Sequence, residues 1–229
     1  MELLKKHIVD FYSGLTFDEE SHKYFVKGVP IGKSVSVLIK DFCLPFNRDF
    51  LSLQVAKKRG ISQEEVLAEW DEAAQIAIKK GKEAHLFGEL YPFNRELRPQ
   101  SEYEIAIMKF WSDLPPYIKP LATELQMYHK EKFYAGTADI ILYNEKTNKL
   151  IVGDYKTNKD LFKNFKGQRL TGRFSNFLDN PFNKYQLQLS YYQILLEQTG
   201  LEVSGRKLIW LSPNNYKMYD CQDLTQYLK

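Results

Sequence analysis

The 229-residue chain predicts an α/β fold on three observations. Two apolar runs, Ile140-Ile141-Leu142-Tyr143 and Leu150-Ile151-Val152, are joined by the polar stretch Asn144-Glu145-Lys146-Thr147-Asn148 and read as a β-hairpin. Apolar residues recur at helical spacing over 62–90 and again from 183 to Gly200. Lys207–Leu211 (KLIWL) reads as a last central strand. The length suits a single domain, divided into an N-terminal hairpin and lead-in (1–60), a core (61–212) and a C-terminal edge strand with a short helix (213–229).

The N-terminal part predicts a smaller hairpin over 14–30, with Leu15 and Phe17 on one strand, Tyr24 and Val26 on the other, and His22 at the surface in the charged turn between them. Ser34–Ile39 fits either a helix capped by Ser34 or a strand, because six residues do not separate the two periods. Pro45 and Asn47 mark a break. The clearest helix begins at Ser62, which forms a capping box with Glu65. Its stripe runs through Leu67, Ala74, Ile78, Gly81 and His85, and predicts that this face is buried. Gly81 lowers helix stability, so it predicts a close approach to another element. His85 continues the stripe; taken alone it reads as a core-edge histidine satisfied by a backbone carbonyl.

Residues 101–114 predict a second amphipathic helix, stopped by Pro115-Pro116. Thr123–Lys130 alternates as a strand does, with Glu124 near its start. After the central hairpin comes a polar segment over 157–184. From Lys156 to Arg173, both included, there are six basic residues and one acid, with Phe162 and Phe165 among them and Phe174 next. Lys159, Lys163, Lys166, Arg169 and Arg173 are candidate phosphate contacts; a solvated, mobile loop is an equal alternative. On the helix that follows, Gln188 and Tyr192 sit four residues apart on a face predicted to be buried, where polar groups need a partner.

Composition narrows the function classes. The chain is 44% hydrophobic and 27% charged, which argues against disorder. A net charge of +3 permits a local basic groove without establishing one. Cys43 and Cys221 form no CxxC pair, so no zinc ribbon and no four-cysteine iron–sulfur cluster is expected within the chain, and reduced thiols in a cytoplasm are. No segment reads as a signal peptide or approaches the roughly 20 apolar residues of a membrane span. There is no GxxxxGK[ST] loop, and the glycines of Gly28–Lys33 have the wrong spacing, so no nucleotide cofactor is expected.

The chemistry gathers on the central hairpin. Asp139 precedes its first apolar run, Asp154 follows its second, and Lys156 lies two residues further on. An antiparallel hairpin brings both acids to one end of the sheet, and i, i+2 spacing puts Asp154 and Lys156 on one face. Carboxylates with an incomplete shell suit Mg2+ or Mn2+. Asp139 and Asp154 are therefore candidate metal ligands, the Tyr155 main-chain carbonyl a further one, and Lys156 the catalytic cation.

In order, Gly81-x-x-x-His85, Gly136-Thr137-Ala138-Asp139, Asp154-Tyr155-Lys156 and Gln188-x-x-x-Tyr192 resemble the PD-(D/E)XK nuclease superfamily, particularly its RecB-like and viral recombination exonuclease branch. The resemblance spans roughly 70–212. Ala138 stands where the superfamily name has Pro. The resemblance implies a restriction-endonuclease-like core, with a central mixed β-sheet flanked by helices and the N-terminal hairpin as an extension. It implies that His85, Asp139 and Asp154 bind metal, that Lys156 is catalytic, and that Gln188 and Tyr192 support the site or contact DNA. Glu124 falls where some relatives carry an extra acid. The implied activity is a Mg- or Mn-dependent deoxyribonuclease, foremost an exonuclease of phage recombination, replication or DNA processing acting in the host cytoplasm. A structure-selective endonuclease and a non-cleaving DNA-binding module remain as alternatives. DNA, as double-stranded ends or single strands, is the implied partner; a recombinase, a single-strand-binding protein or further copies of the chain are candidate protein partners.

Overall fold

A computed structural model describes residues 1–228. The chain opens with helix α1 (Glu2–Phe11), followed by the short strands β1 (Leu15–Asp18), β2 (Lys23–Val26) and β3 (Val29–Pro30). Strands β1 and β2 pair antiparallel, Leu15 with Val26, and β3 adds to β2, so the expected hairpin is present. His22 sits exposed in its turn with φ 51°. At Ser34 both sequence readings hold in miniature. Strand β4 (Lys33–Ser34) is followed directly by helix α2 (Val35–Lys40), and the Ser34 hydroxyl accepts from the Val37 N–H.

Asn47 caps helix α3 (Arg48–Arg59), and Ser62 caps helix α4 (Gln63–Leu90) through the expected box with Glu65. The buried stripe on α4 is only partly realised. Val66 is buried near its start and Ala84, Phe87 and Gly88 near its end, whereas Ala74 and Ile78 are exposed. Ion pairs Arg48–Asp71 and Arg59–Glu69 tie α3 to the first part of α4, and residues 72–79 are exposed, so apolar spacing there has no core to face. Helix α5 (Glu102–Asp113) lies close to its expected bounds.

The central sheet is built from β4, β5 (Ile118–Tyr128), β6 (Tyr134–Asn144), β7 (Lys149–Lys156), β8 (Val203–Ser212) and β9 (Asn215–Asp220), six strands among the described residues. Pairs β5–β6, β6–β7 and β8–β9 are antiparallel; β4–β6 and β7–β8 are parallel. The sheet is therefore mixed, as expected. A parallel pair needs a crossover, and helix α6 (Pro181–Glu197) supplies it between β7 and β8. Strand β5 begins at Ile118, five residues before the sequence suggests, and a register shift lies between Pro120 and Ala122.

Both faces are covered, which explains why the middle strands read as continuous apolar runs. Ile140, Leu142, Ile151 and Ile209 pack with Phe87 of α4 and Phe110 of α5; Ile141, Val152 and Leu208 pack with Leu189 and Leu195 of α6 and Val35 of α2. Gly136 marks the tightest contact on the α6 side, since a Cβ there would come within 2.7 Å of the Tyr192 ring. After β9 the chain ends in a 3₁₀ turn, Thr225–Tyr227. Among the described residues no helix is long and apolar enough to cross a membrane.

Candidate metal centre

The β6–β7 register fixes the two acids of the hairpin. Ile140 pairs with Gly153, so Asp139 and Asp154 come next on their strands, at the same end of the sheet. Here the two strands are no longer joined by a regular ladder. Instead the Tyr155 N–H donates to Asp139 Oδ2 at 2.7 Å, inside a buried environment. On the other side of β6, the β5 register sets Thr123 against Ile140 and Leu125 against Ala138, which places Glu124 across from Asp139. Glu124 has φ 46°, a left-handed conformation costly for a residue with a Cβ. This left-handed residue is the one that faces the site.

Helix α4 delivers His85 from its last turns. His85 Nδ1 lies 3.3 Å from Asp139 Oδ2 and 3.9 Å from Glu124 Oε1, and Nε2 lies 3.1 Å from the Tyr155 carbonyl oxygen. Both ring nitrogens thus face acceptors, which favours the imidazolium. The Asp139 charge raises the His85 pKa to about 10 against the opposing effect of burial. Burial alone would raise Asp139, but His85, Lys156 and the Tyr155 N–H hold it below its ordinary range. Glu124 is pushed up by burial and by the charges of Asp139 and Glu89, against the pull of His85.

His85, Glu124 and Asp139 each bring one ligand atom within 4.8 Å of the others, and this group can hold a metal ion. The donors are one imidazole nitrogen and two carboxylates. The backbone-carbonyl contact expected of an ordinary core-edge histidine is also present, on the opposite ring nitrogen. The Tyr155 carbonyl, a candidate ligand by sequence, here accepts from that imidazole.

Asp154 lies outside this three-residue group. Its carboxylate is in ion-pair contact with the Lys156 ammonium, as their shared strand face requires. Both carboxylate oxygens are buried and, among the described residues, have no hydrogen bond of good geometry. Burial and the Asp139 charge push Asp154 up to about 6, against the pull of Lys156. Burial would lower Lys156, but Asp154 and Asp139 together hold it above its usual range. Asp154 Oδ2 meets the Lys156 ammonium, but Oδ1 has no partner among the described residues; a buried carboxylate oxygen left so beside a three-donor cluster is one a cation would complete, so the donor set fits a bound metal.

Gln188 Nε2 donates to the Tyr192 hydroxyl at 2.7 Å, which gives the polar pair on the buried face its partner. Burial and the charges of Asp154 and Asp139 raise the Tyr192 pKa, which keeps its hydroxyl protonated. Three further residues complete the surroundings and were not singled out by sequence. The Lys156 ammonium lies 4.8 Å from the Tyr185 ring centroid, and the Tyr185 hydroxyl donates to Asn158 Oδ1 at 2.7 Å. Tyr24 of β2 bonds Thr137 at 2.9 Å and anchors the N-terminal hairpin to β6. Tyr185 had a signal: it precedes Gln188 by one helical turn on the same face.

Two expectations change on the structure. Gly81 is not the site of close approach, since a Cβ there would meet only Thr157 Oγ1, at an ordinary 3.7 Å. The close approach comes two turns later, at Gly88, where a Cβ would sit 2.6 Å from the Tyr155 ring. The segment expected over 157–184 is a loop to residue 180, where α6 takes over, and the loop is tied to the body by hydrogen bonds and buried side chains rather than solvated throughout. Backbone bonds Leu170–Phe177, Asp179–Gln168, Phe182–Leu161 and Thr171–Phe42 hold it, and Leu161, Leu170 and Phe174 are buried. Phe174 is thereby removed from the candidate stacking residues. Arg169 donates to the Asn176 carbonyl, and Arg173 donates to the Tyr227 carbonyl. All five basic residues are exposed, and Lys159, Lys163 and Lys166 make no such bond among the described residues.

Comparison with protein-family models finds no match, and neither does comparison with curated proteins.

Proposed function

We propose that the chain is a metal-dependent DNA nuclease of the PD-(D/E)XK type, cutting phosphodiester bonds from DNA ends in phage recombination, replication or DNA processing. One observation carries the reading: a three-donor cluster of His85, Glu124 and Asp139 stands beside a buried Asp154–Lys156 pair. Each half has ordinary explanations alone. Together they supply a candidate cation site and a buried ammonium whose charge acts on one of the cluster's own ligands.

Mg2+ or Mn2+ held by Asp139, Glu124 and His85, with Asp154 as the additional carboxylate, would polarise a phosphoryl oxygen and lower the pKa of an attacking water. The protein's own groups do the rest. The Tyr155 N–H fixes the Asp139 carboxylate, and the Tyr155 carbonyl fixes the imidazole, so two of the donors are oriented by one residue of β7. Lys156, held as an ammonium by Asp154 and Asp139, offsets negative charge developing on the phosphate and can give a proton to the leaving oxygen. Tyr185 restricts the lysine on one side and Asp154 on the other. The Gln188–Tyr192 pair stiffens the α6 wall, and exposed Lys159, Lys163 and Lys166 offer phosphate contacts. DNA is the proposed partner, with a recombinase, a single-strand-binding protein or further copies of the chain as protein partners.

The test is cleavage of linear, nicked and closed circular DNA by the purified protein with Mg2+ or Mn2+. Loss of linear DNA from its ends is the expected result. Intact DNA across a wide pH range with either ion would overturn the reading. Cutting of closed circles would replace the exonuclease by an endonuclease.

A further inference from the structure

A groove of about 600 Å³ opens beside the candidate centre, between α2, the 41–47 linker and the first turns of α6. Its walls are mostly apolar, from Ile39, Leu44, Pro45 and Phe46, and Tyr185 and Gln188 of α6 line it as well. Leu44 is 46% exposed and Phe46 69% exposed. The one aromatic neighbour within reach of Phe46 is Trp70, at 6.4 Å between ring centroids, among the described residues. An aromatic ring so uncovered beside an apolar wall favours a flat apolar occupant. Lys40 and Lys184 stand at the rim. Lys184 is paired with Asp179 at 2.5 Å, whereas Lys40 has no ion pair among the described residues. The groove therefore presents an apolar slot under a positive edge. Gln188 commits its amide N–H to Tyr192, and the carbonyl oxygen remains to accept from a ring amino or imino group.

Tyr185 links this slot to the chemistry, because the ring that lines the groove also carries the Lys156 ammonium on its face. An occupant stacked in the groove lies one side chain away from Lys156. A flat apolar body, hydrogen-bonding edges and an attached negative charge describe a nucleotide. Bases within a duplex are stacked on each other and cannot enter such a slot; an unpaired one can. We infer that this groove binds one unpaired nucleobase of the strand presented to Lys156. The inference rests on the nuclease reading and narrows its substrate to single-stranded DNA or frayed duplex ends.

Binding in EDTA, where cleavage cannot occur, tests it directly. A short labelled oligothymidylate is compared with versions carrying an abasic residue at successive positions. For the unaltered protein, one abasic position is expected to weaken binding about tenfold, the effect of losing one base–aromatic stack. Phe46→Ala is expected to remove that difference while keeping the affinity for the abasic strand. Equal binding of intact and abasic strands by the unaltered protein would overturn the inference, as would discrimination retained by Phe46→Ala.

A second readout needs no substitution. Cys43 lines the groove and is partly exposed, whereas Cys221 is buried. Oligothymidylate is expected to protect Cys43 from alkylation, and the abasic strand is expected to protect it less; equal protection would overturn the inference. Cleavage of linear DNA with Mn2+ is measured on the same preparations. Cleavage without base discrimination overturns the groove alone, and discrimination without cleavage overturns the nuclease reading alone.

Discussion

Gly88 of α4 lies against the Tyr155 ring so closely that a single added methyl group would come within 2.6 Å of it. The Tyr155 hydroxyl accepts from Trp111 Nε1 at 2.8 Å, so the ring is held and has little room to retreat. Gly88→Ala is expected to destabilise the protein by about 1–3 kcal/mol, the usual cost of overpacking. Because Tyr155 orients both Asp139 and His85, its displacement is also expected to weaken the proposed metal binding. Gly81→Ala on the same helix is expected to be neutral or to stabilise by up to about 1 kcal/mol. Thermal melts and calorimetric Mn2+ titrations of the two variants check the contrast.

Lys156 and Asp154 form a buried pair, and removing one partner leaves the other uncompensated. Lys156→Met is expected to abolish cleavage and to cost about 3–5 kcal/mol of stability. The double variant Lys156→Met with Asp154→Asn should recover most of the stability while remaining inactive. Chemical denaturation and a cleavage assay separate the two effects. A double variant as unstable as the single one would show that the charge pair is not what links them.

The pH behaviour of the metal-free protein follows from His85. Its folded pKa of about 10 lies above the ordinary value of 6.5. The imidazolium therefore contributes stability that is full below about 6.5 and is lost as pH rises through about 10. His85→Gln should lower the melting temperature clearly at pH 6 and by less above pH 10. A nitrogen that binds metal must first give up its proton. Metal binding at neutral pH is thus expected to release protons, measurable by calorimetry in buffers of different ionisation enthalpy.

The basic loop divides by contact. Replacing Lys159, Lys163 and Lys166 by Gln is expected to weaken DNA binding and to flatten its salt dependence, with little effect on stability. Arg173→Gln should instead destabilise the loop, because Arg173 holds the Tyr227 carbonyl and lies over the Phe42 ring. Salt-dependent binding and thermal melts distinguish the two groups.

The central hairpin was legible because both of its runs are apolar and the intervening turn is polar, and that sufficed to place Asp139 and Asp154 at one end. The Ser62 cap and the Gln188–Tyr192 pair were legible for the same reason: short spacings on one element fix their geometry. Helices α1 and α3 were not, since of the apolar side chains on α1 only Ile8 is buried and the α3 pattern is broken by polar residues. The contribution of Glu124 depends on the register of a neighbouring strand and on a left-handed backbone within it, and neither leaves a trace in residue spacing. The Asp154–Lys156 contact follows from strand alternation, but its burial without further hydrogen bonds depends on what α6 places above it.

Helix α4 has 28 residues and is about 42 Å long. Its last turns pack against the sheet through Ala84 and Phe87, while the side chains of residues 72–79 are exposed. One continuous helix therefore spans two thermal regimes. Amides near Ala84–Gly88 should open only with the whole protein, and those of the exposed stretch should open locally and far more often. Hydrogen–deuterium exchange along this helix would register a steep gradient of protection, with His85 on its slow side.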